Sequence, residues 1–395
     1  MLVAAGRPLG PARPWFDPTR RTALDKLAPL RHPDDRTRYG VELNAARSVA
    51  AWALLQPDEV AAATGWVACT DYPALRWTGR PVMSSSLAAR TGAWLLDPGG
   101  WDPDRVTPFI PLWLLPPVVP AGTVVGELRS PRLSRLLSSD AVVVAGGHDH
   151  PIAASVVHRQ HPGAPLDLMG TAEVIVRTLE SGPPPQDVDL SPAIVGTGKA
   201  ALAVLELDRN VSWLRSSGLG GLVDAVLTSH LPPAPSGPEV FVAGAEGGGA
   251  PRWTSAAGQL SDERRAAAAV WQLATAGAAK HDQAPGADVI YGAGGWTRAP
   301  GWMRLKAAAA GTAYSVLAEP ELSALGAAQL SLPGPIAPLT VHEVPPHPPP
   351  DSPKKRTSLD TGYLTCRTLH TGVGSLTETG ARSCISYPTT TSALT

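Results

Sequence analysis

Short apolar runs that end in glycine turns recur along this chain, and the clearest of them lies near residue 290. Residues 289–291 are predicted to form a strand, and glycines follow it directly. A helix over 301–310, a strand over 314–317 and a helix over 320–330 are predicted next. This order of strand, turn, helix, strand and helix is typical of an α/β layer.

The pattern of predicted elements changes near residue 160. Before it, we predict a hairpin at 1–11 and helices at 41–64 and 58–77. A short, fully buried strand is predicted at 142–145. After it, hairpin spacing predicts an antiparallel meander with strands at 165–169, 173–177, 192–195 and 200–205. An alanine-rich helix is predicted over 261–280.

Composition limits the classes of function that need to be considered. The chain has 33 basic and 34 acidic residues, so there is no electrostatic reason to expect nucleic-acid binding or attachment to an anionic membrane. No apolar run approaches the roughly 18 residues of a membrane helix, and the N-terminus lacks the pattern of a signal peptide. Three cysteines cannot form a disulfide framework or a four-thiolate zinc site. We expect a soluble cytoplasmic protein.

The segment 333–395 differs from everything before it. Prolines cluster over 345–350, and a Ser/Thr-rich stretch without a period follows. Such a composition buries too little apolar surface to offset the entropy of ordering the chain. We expect 333–395 to be disordered.

A group of ionisable residues follows the predicted strand at 142–145. Two glycines lead into His148, Asp149 and His150. Glycines permit a sharp turn and the close approach of a ligand, and an acid at the mouth of such a turn is positioned to accept a proton. A structural alternative is an N-cap role for Asp149, in a helix that begins at Pro151.

Two further glycine turns follow predicted strands. At 169–171 a Gly170-Thr171 turn joins two strands, and its backbone N–H groups and threonine hydroxyl are suited to a phosphate. At Gly294 and Gly295 the turn lies between a strand and a helix, the usual geometry for a nucleotide that lies against backbone. This last turn is neither a dinucleotide fingerprint nor a Walker A loop, and each turn alone is weak evidence.

Further motifs surround these turns in a fixed order. They are Trp15-Phe16-Asp17 with Arg20, Thr70-Asp71-Tyr72, Trp77-Thr78-Gly79, Ser85 to Gly92, Leu115 to Val119, Gly122 to Gly126, and Leu325-Gly326-Ala327-Ala328. Together with the three turns, they resemble the FGGY family of carbohydrate kinases, within the superfamily of sugar kinases, actin and Hsp70. The resemblance extends over most of the chain before the tail.

The resemblance implies an ATP-dependent kinase of a sugar or polyol. Its fold would be α/β, with two RNase H-like (actin-like ATPase) domains and an interdomain cleft. The sugar-binding domain would cover 1–155 and the ATP-binding domain 160–332. The resemblance leaves open whether the protein forms a homodimer.

The resemblance also assigns roles to individual residues. Asp149 would be the general base that accepts the proton of the sugar hydroxyl, and His150 would bind sugar hydroxyls. The ATP-binding residues would be Gly170 and Thr171 at the phosphates and Gly294 and Gly295 at the adenosine. Mg²⁺ would bridge the phosphates, and the sequence leaves its protein ligands unknown.

The sequence departs from the family's pattern at several positions. No D-x-G-T phosphate hairpin precedes Trp15, so we expect the first domain to be incomplete and to lack phosphate contacts and part of the sugar pocket. Ala308 stands where the family has Asp, and Ala245 to Pro251 is an altered form of its G-E-R-x-P element. These departures favour a second interpretation, a truncated kinase remnant with weak or no turnover.

A third interpretation is a metal-dependent hydrolase. His148 and His150 have the spacing at which two imidazoles can reach one metal ion. This interpretation needs further ligands from other strand ends, and His158 and His161 lie instead in a predicted helix-to-loop stretch.

Overall fold

A computed structural model of the chain describes residues 1–181, 187–228, 239–244, 250–282, 289–332, 337–346 and 366–367. The strands are β1 (Leu2–Ala4), β2 (Arg7–Pro8), β3 (Gly65–Trp66), β4 (Met83–Ser84), β5 (Trp94–Leu95), β6 (Gly100–Trp101), β7 (Val118–Val119), β8 (Val124–Glu127), β9 (Val142–Val144), β10 (Leu166–Met169), β11 (Glu173–Leu179), β12 (Asp189–Pro192), β13 (Lys199–Leu205), β14 (Phe241–Val242), β15 (Arg252–Trp253), β16 (Val289–Ala293), β17 (Ala313–Leu317), β18 (Val341–Val344) and β19 (Cys366–Arg367). The α-helices are α1 (Leu24–Leu27), α2 (Asp35–Tyr39), α3 (Ser48–Trp52), α4 (Pro57–Ala61), α5 (Tyr72–Thr78), α6 (Ser85–Ala88), α7 (Pro103–Val106), α8 (Asp149–Gln160), α9 (Leu207–Leu214), α10 (Gly220–Thr228), α11 (Asp262–Asp282), α12 (Pro300–Ala310) and α13 (Leu322–Ser331).

An eight-stranded sheet organises the second half of the chain, in the order β12-β13-β11-β10-β16-β17-β18-β19. Strands β10, β11, β12 and β13 correspond to the four predicted antiparallel strands. The strand predicted at 192–195 is wrong in its bounds, because β12 ends at Pro192. It also lies at the edge of the sheet beside β13 and does not pair with β11. On the other side of β10, β16 and β17 continue the sheet in parallel. Helices make the crossovers that parallel strands require. This is the RNase H-like topology, and it confirms the predicted α/β class.

Helices cover this sheet on both faces. On one face, α9 to α12 enclose a core that includes Phe241, Trp302 and Tyr314. On the other face, α8 packs on β10 and β11 through small and β-branched residues of 153–157. None of the described helices is long and apolar enough to cross a membrane.

The first half contains four small sheets, β2-β1-β3, β4-β7, β5-β6 and β8-β9. Its hairpin at 1–11 is present as β1 and β2. The helix predicted over 41–64 is wrong as a continuous element, because α3 covers only Ser48–Trp52 and α4 only Pro57–Ala61. The helix predicted over 58–77 is also wrong, because β3 interrupts it and α5 begins only at Tyr72. The Asn44 side chain accepts the Ala46 N–H at 2.9 Å, and such local bonds compete with helix formation.

The strand predicted at 142–145 exists as β9, but its predicted burial is wrong. It pairs with β8 across an irregularity in register, and Val142 is 49% exposed. Within the part of the chain that the structure describes, β8 is its only strand partner. An apolar run alone does not reveal whether one or both faces of a strand are covered.

Strand β18 contradicts the expectation that the whole of 333–395 is disordered. It pairs antiparallel with β17, from Leu317↔Val341 to Tyr314↔Val344. Val341 is 2% exposed and belongs to the core around α8. A four-residue strand between prolines carries too short a pattern to be recognised from sequence. The remainder of the tail, apart from 337–340, 345–346 and β19, lies outside the described residues.

We expect Val341→Ala to lower the free energy of unfolding by about 2 kcal/mol, because it removes buried methyl groups from a packed core. Glu343→Ala is the matched control, since Glu343 is an exposed residue of the same strand and its loss should cost no more than about 0.5 kcal/mol. Denaturant unfolding measures both. Equal effects of the two substitutions would contradict the core position of β18.

An ion cluster joins the two halves. Asp189 of β12 is 6% exposed and contacts three arginines of the first half. They are Arg36, Arg47 and Arg90, with N–O distances of 3.3, 3.0 and 2.6 Å. Burial opposes the ionisation of Asp189, but Arg90 and Arg47 hold the pKa of its carboxyl below its usual range. Beside this cluster, the Leu190 N–H donates to the Gly40 carbonyl.

Helices α8 and α13 approach each other closely at Gly326. A Cβ atom at this position would overlap the backbone carbonyl of Ile152. We therefore expect Gly326→Val to cost about 3 kcal/mol through overpacking, which in a domain of this size lowers the Tm by roughly 6–12 °C. Calorimetry or thermal circular dichroism measures the shift, and an unchanged Tm would refute the helix contact.

Candidate active site

The two predicted nucleotide turns lie side by side at one edge of the large sheet. β10 and β16 are parallel neighbours in which Leu168 pairs with Ala293. The Gly170-Thr171 turn follows β10 and the Gly294-Gly295 turn follows β16, so both lie at the carboxyl ends of their strands. In open α/β sheets, ligands bind at this edge.

The backbone at Gly294 explains why a glycine is needed there. Its φ of +103° is a conformation that residues with a side chain rarely adopt, and a Cβ atom would overlap the carbonyl of Met169. Helix α12 also contacts Met169, because the Trp302 Nε1–H donates a hydrogen bond to the Met169 sulfur at 3.3 Å. The turns after β10 and β16 are therefore in direct contact.

The Gly170-Thr171 turn, named the phosphate turn after its predicted role, closes the hairpin of β10 and β11. Met169 and Glu173 form the last cross-strand pair, and the Gly170 N–H donates to the Ala172 carbonyl at 2.9 Å. That bond uses the Gly170 N–H within the turn. Thr171 lies at the exposed tip of the turn.

A cavity of about 600 Å³ opens between the two turns. Gly170, Thr171 and Gly295 line it, and a Cβ atom built at Gly295 meets no other atom within 4 Å. Three of the four predicted ATP-binding residues thus border one cavity, and the fourth, Gly294, shapes its edge. A volume of this size is in the range of small-molecule and cofactor sites.

Sequence reasoning missed several residues that line this cavity. The charged or aromatic ones are Asp208, Arg215, Asp224, Trp296 and Arg298. Trp296 and Arg298 follow the Gly294-Gly295 turn directly in the sequence, so their position next to a predicted nucleotide turn could have identified them as cavity residues. The other three come from α9, α10 and the segment between them, and no motif spacing marks them.

Three contacts organise this wall of the cavity. Arg215 donates twice to Asp224, from Nε at 2.9 Å and from Nη2 at 2.7 Å. Its guanidinium also lies 5.8 Å from the centre of the Trp296 ring. The Asp208 N–H donates to the Thr171 carbonyl at 3.0 Å, which places an acidic residue next to the phosphate turn.

Asp149 is the first residue of α8, and His148 is its N-cap. The helix therefore begins two residues before the predicted start at Pro151, and the predicted N-cap role of Asp149 is wrong by one residue. The carboxylate accepts the His150 N–H at 2.9 Å and lies 3.1 Å from His150 Nδ1 and 3.6 Å from His148 Nε2. Its side chain is 64% exposed, so a substrate can reach it.

The environment keeps Asp149 ionised. Partial desolvation opposes ionisation, but the contact with His150 holds the pKa of Asp149 well below its usual range. Burial lowers the pKa of His148, and the charge of Arg90 lowers it further, so this imidazole is neutral near pH 7. A second backbone anchor fixes the turn, because the His148 N–H donates to Ser86 Oγ at 3.0 Å.

The topology brings Asp149 to the same edge of the sheet as the phosphate turn. Helix α8 leads into β10 through residues 161–165 and packs along β10 and β11. It therefore runs antiparallel to β10, and its first residue lies toward the end of that strand. Asp149 and His150 do not line the cavity between the glycine turns, so the acid and the nucleotide turns form two neighbouring parts of one edge.

His148, Asp149 and His150 also place three ligand atoms within 4.8 Å of one another, a separation that one metal ion can bridge. Two features disfavour a resident cation. The cluster lies at the N-terminus of α8, where the helix dipole is positive. His148 Nδ1 is buried and has no hydrogen-bond partner in the described part of the chain, whereas metal-bound imidazoles are usually oriented by such a partner.

Solved structures with a similar fold align with most of the chain. The xylulose kinase from Rhodospirillum rubrum is 20% identical, with a TM-score of 0.64 over 80% of this chain and 68% of that one. The glycerol kinase from Plasmodium falciparum, solved with ADP, is 15% identical, with a TM-score of 0.67 over 82% and 70%. The gluconate kinase from Lactobacillus acidophilus is 15% identical, with a TM-score of 0.66 over 82% and 70%.

The fold is that of the carbohydrate kinases. The resemblance predicted from the motifs is confirmed at the level of the fold, and so is the α/β class. The RNase H-like sheet lies in the second half, whereas the first half holds small sheets of two or three strands. No family model matches the sequence of this carbohydrate kinase-like chain, and no curated protein matches it. The roles of single residues therefore rest on the geometry of the site.

Proposed function

We propose that this protein is an ATP-dependent kinase that phosphorylates a hydroxyl of a sugar or polyol. One observation carries the proposal: the two glycine turns border a single cavity at the edge of the sheet to which α8 brings Asp149. A nucleotide site beside an ionised, exposed carboxylate is the arrangement that phosphoryl transfer to an alcohol requires. On this proposal 160–332 is the ATP-binding side, 1–155 the sugar-binding side, and the protein works in the cytoplasm.

The residues at the cavity fit a nucleotide. The Thr171 hydroxyl and the backbone of its turn face the phosphates, while Gly295 leaves open the space that the adenosine occupies. Trp296 offers an aromatic surface next to that space. The Plasmodium falciparum glycerol kinase, which shares this fold, was solved with ADP, and this supports a nucleotide site in the present chain.

Asp208 is the residue that fits Mg²⁺. It lines the cavity and is bonded through its N–H to the phosphate turn, and carboxylate oxygens are preferred Mg²⁺ ligands. Asp224, which also lines the cavity, is already held by Arg215. Bound Mg²⁺ supplies charge neutralisation at the phosphates and orients them. Asp208 holds that ion directly or through water.

Asp149 accepts the proton of the attacking hydroxyl. Its ionised state near neutral pH and its exposure are the properties of a general base. His150 lies beside it and binds a neighbouring hydroxyl of the acceptor, and its backbone N–H keeps the carboxylate oriented. Phosphoryl transfer asks for little further chemistry from the protein, because positioning and charge stabilisation dominate it.

ADP release measured against a panel of acceptors tests this proposal. The panel contains ketoses, polyols and aldonates, each with ATP and Mg²⁺, and a reaction without acceptor as the blank. At least one acceptor is expected to stimulate ADP release well above the blank, and EDTA should abolish that stimulation. No stimulation by any acceptor, in a chain that binds ATP, would favour the remnant without turnover.

A further inference from the structure

A fully buried group of charges lies beneath the phosphate turn. Lys306 of α12 is 0% exposed, Asp167 of β10 is 0% exposed and Glu173 of β11 is 1% exposed. Lys306 Nζ lies 3.0 Å from Asp167 Oδ2 and bonds Glu173 Oε1. The Tyr314 hydroxyl donates to Asp167 Oδ2 at 3.0 Å, and His281 Nε2 lies 3.2 Å from the same oxygen.

This group holds one end of the phosphate turn, and a second contact of α12 holds the other. Glu173 and Met169 are the last cross-strand pair before the three-residue turn 170–172. Lys306 bonds Glu173, and Trp302, one helical turn earlier, bonds the Met169 sulfur. Helix α12 itself follows the Gly294-Gly295 turn, so one helix connects both halves of the nucleotide site.

Stability alone does not account for these buried charges. Removing ions from water costs several kcal/mol each, and apolar side chains of similar volume are commonly as stable or more stable in such positions. Burial raises the pKa of Glu173 to about 7, with Lys306 opposing this effect. A directional bond between α12 and the base of the turn fixes the position of the turn in a way that apolar contacts do not.

We propose that Trp302 and Lys306 are positioning residues that hold the two ends of the phosphate turn in place. Through this turn, the Lys306–Glu173 pair sets the affinity for the phosphates of a nucleotide. The inference rests on the proposed kinase function and adds to it a residue pair that does not touch the nucleotide. Because adenosine contacts the other turn, loss of the pair should weaken ATP binding and leave adenosine binding unchanged.

Titration calorimetry of the full chain with ATP, and separately with adenosine, tests this. Glu173→Met removes the bond to Lys306 but leaves the balanced Lys306–Asp167 pair, and we expect it to raise the Kd of ATP about tenfold or more, since small misplacements of binding groups have effects of this size. Its Kd for adenosine should stay within about twofold of the wild type. Glu173→Gln keeps an oxygen for Lys306 and should restore ATP affinity to within about threefold.

Glu343→Met is the matched control, because Glu343 is an exposed glutamate in the same sheet, and it should change neither Kd. Trp302→Phe keeps an aromatic side chain but loses the indole N–H that bonds Met169. It is the alternative variant if Glu173→Met fails to fold, and its loss of affinity should likewise be confined to ATP. Equal weakening of ATP and adenosine, or no weakening of ATP, would overturn the inference alone. Wild-type protein that binds neither compound would overturn the proposed function and this inference with it.

Discussion

Asp149→Asn is expected to lower sugar phosphorylation by about 10²–10⁴, the usual contribution of a general base. The amide keeps the size of the side chain but cannot accept the proton of the hydroxyl. ATP binding should stay within about twofold, because Asp149 does not line the nucleotide cavity. Initial rates of ADP release, with the ATP Kd from calorimetry, measure both effects.

Asp104→Asn is the control for this substitution. Asp104 is also an exposed acid in the first turn of a helix, so both changes remove a charge that interacts with a helix dipole, at a cost of about 0.3–1 kcal/mol. Turnover should fall only for Asp149→Asn. A mutant with wild-type turnover would leave Asp149 with a role at the helix N-terminus alone.

Gly295→Val is expected to weaken ATP binding by about 10–100-fold, because its side chain fills space that the adenosine needs, and overpacking costs about 1–3 kcal/mol. We expect the protein without nucleotide to accommodate this substitution, since no other atom lies within 4 Å of a Cβ atom at Gly295. Calorimetry with ATP measures the loss, and the Tm should stay near that of the wild type.

Gly258→Val is the matched control for the nucleotide turn. Gly258 also lies in a short 3₁₀ helix, is exposed and has nothing within 4 Å of its Cβ position, but it does not line the cavity. It should leave ATP affinity unchanged. If Gly295→Val binds ATP as tightly as Gly258→Val, the adenosine does not lie against the Gly294-Gly295 turn.

The sequence predicted the second half of the fold better than the first, for a physical reason. Strands such as β10 and β16 are buried on both faces and end in glycine turns, so apolar runs and punctuation both mark them. The helices of the first half are only four to seven residues long. Local turns, such as the one at Asn44 before α3, and tertiary contacts, such as the arginines around Asp189, influence where they begin.

The same distinction holds for the site. The sequence predicted Asp149 and both glycine turns as site residues because glycines and acids after strands form recognisable patterns, and the structure places the two turns side by side. It could not locate Asp208, Arg215 or Asp224, which reach the cavity only through the packing of α9 and α10. The Lys306–Glu173 pair was also invisible, because residues 133 positions apart meet only after β11 and α12 are placed against each other.

The fate of the γ-phosphate tests the central claim most directly. Phosphorus NMR of the protein with ATP, Mg²⁺ and its best acceptor distinguishes transfer to an alcohol from transfer to water. The account predicts that the γ-phosphate signal declines while a sugar or polyol phosphomonoester signal grows by the same amount, and that Asp149→Asn prevents both changes. A decline matched only by inorganic phosphate, with the acceptor unmodified, would show a hydrolase and contradict the kinase assignment.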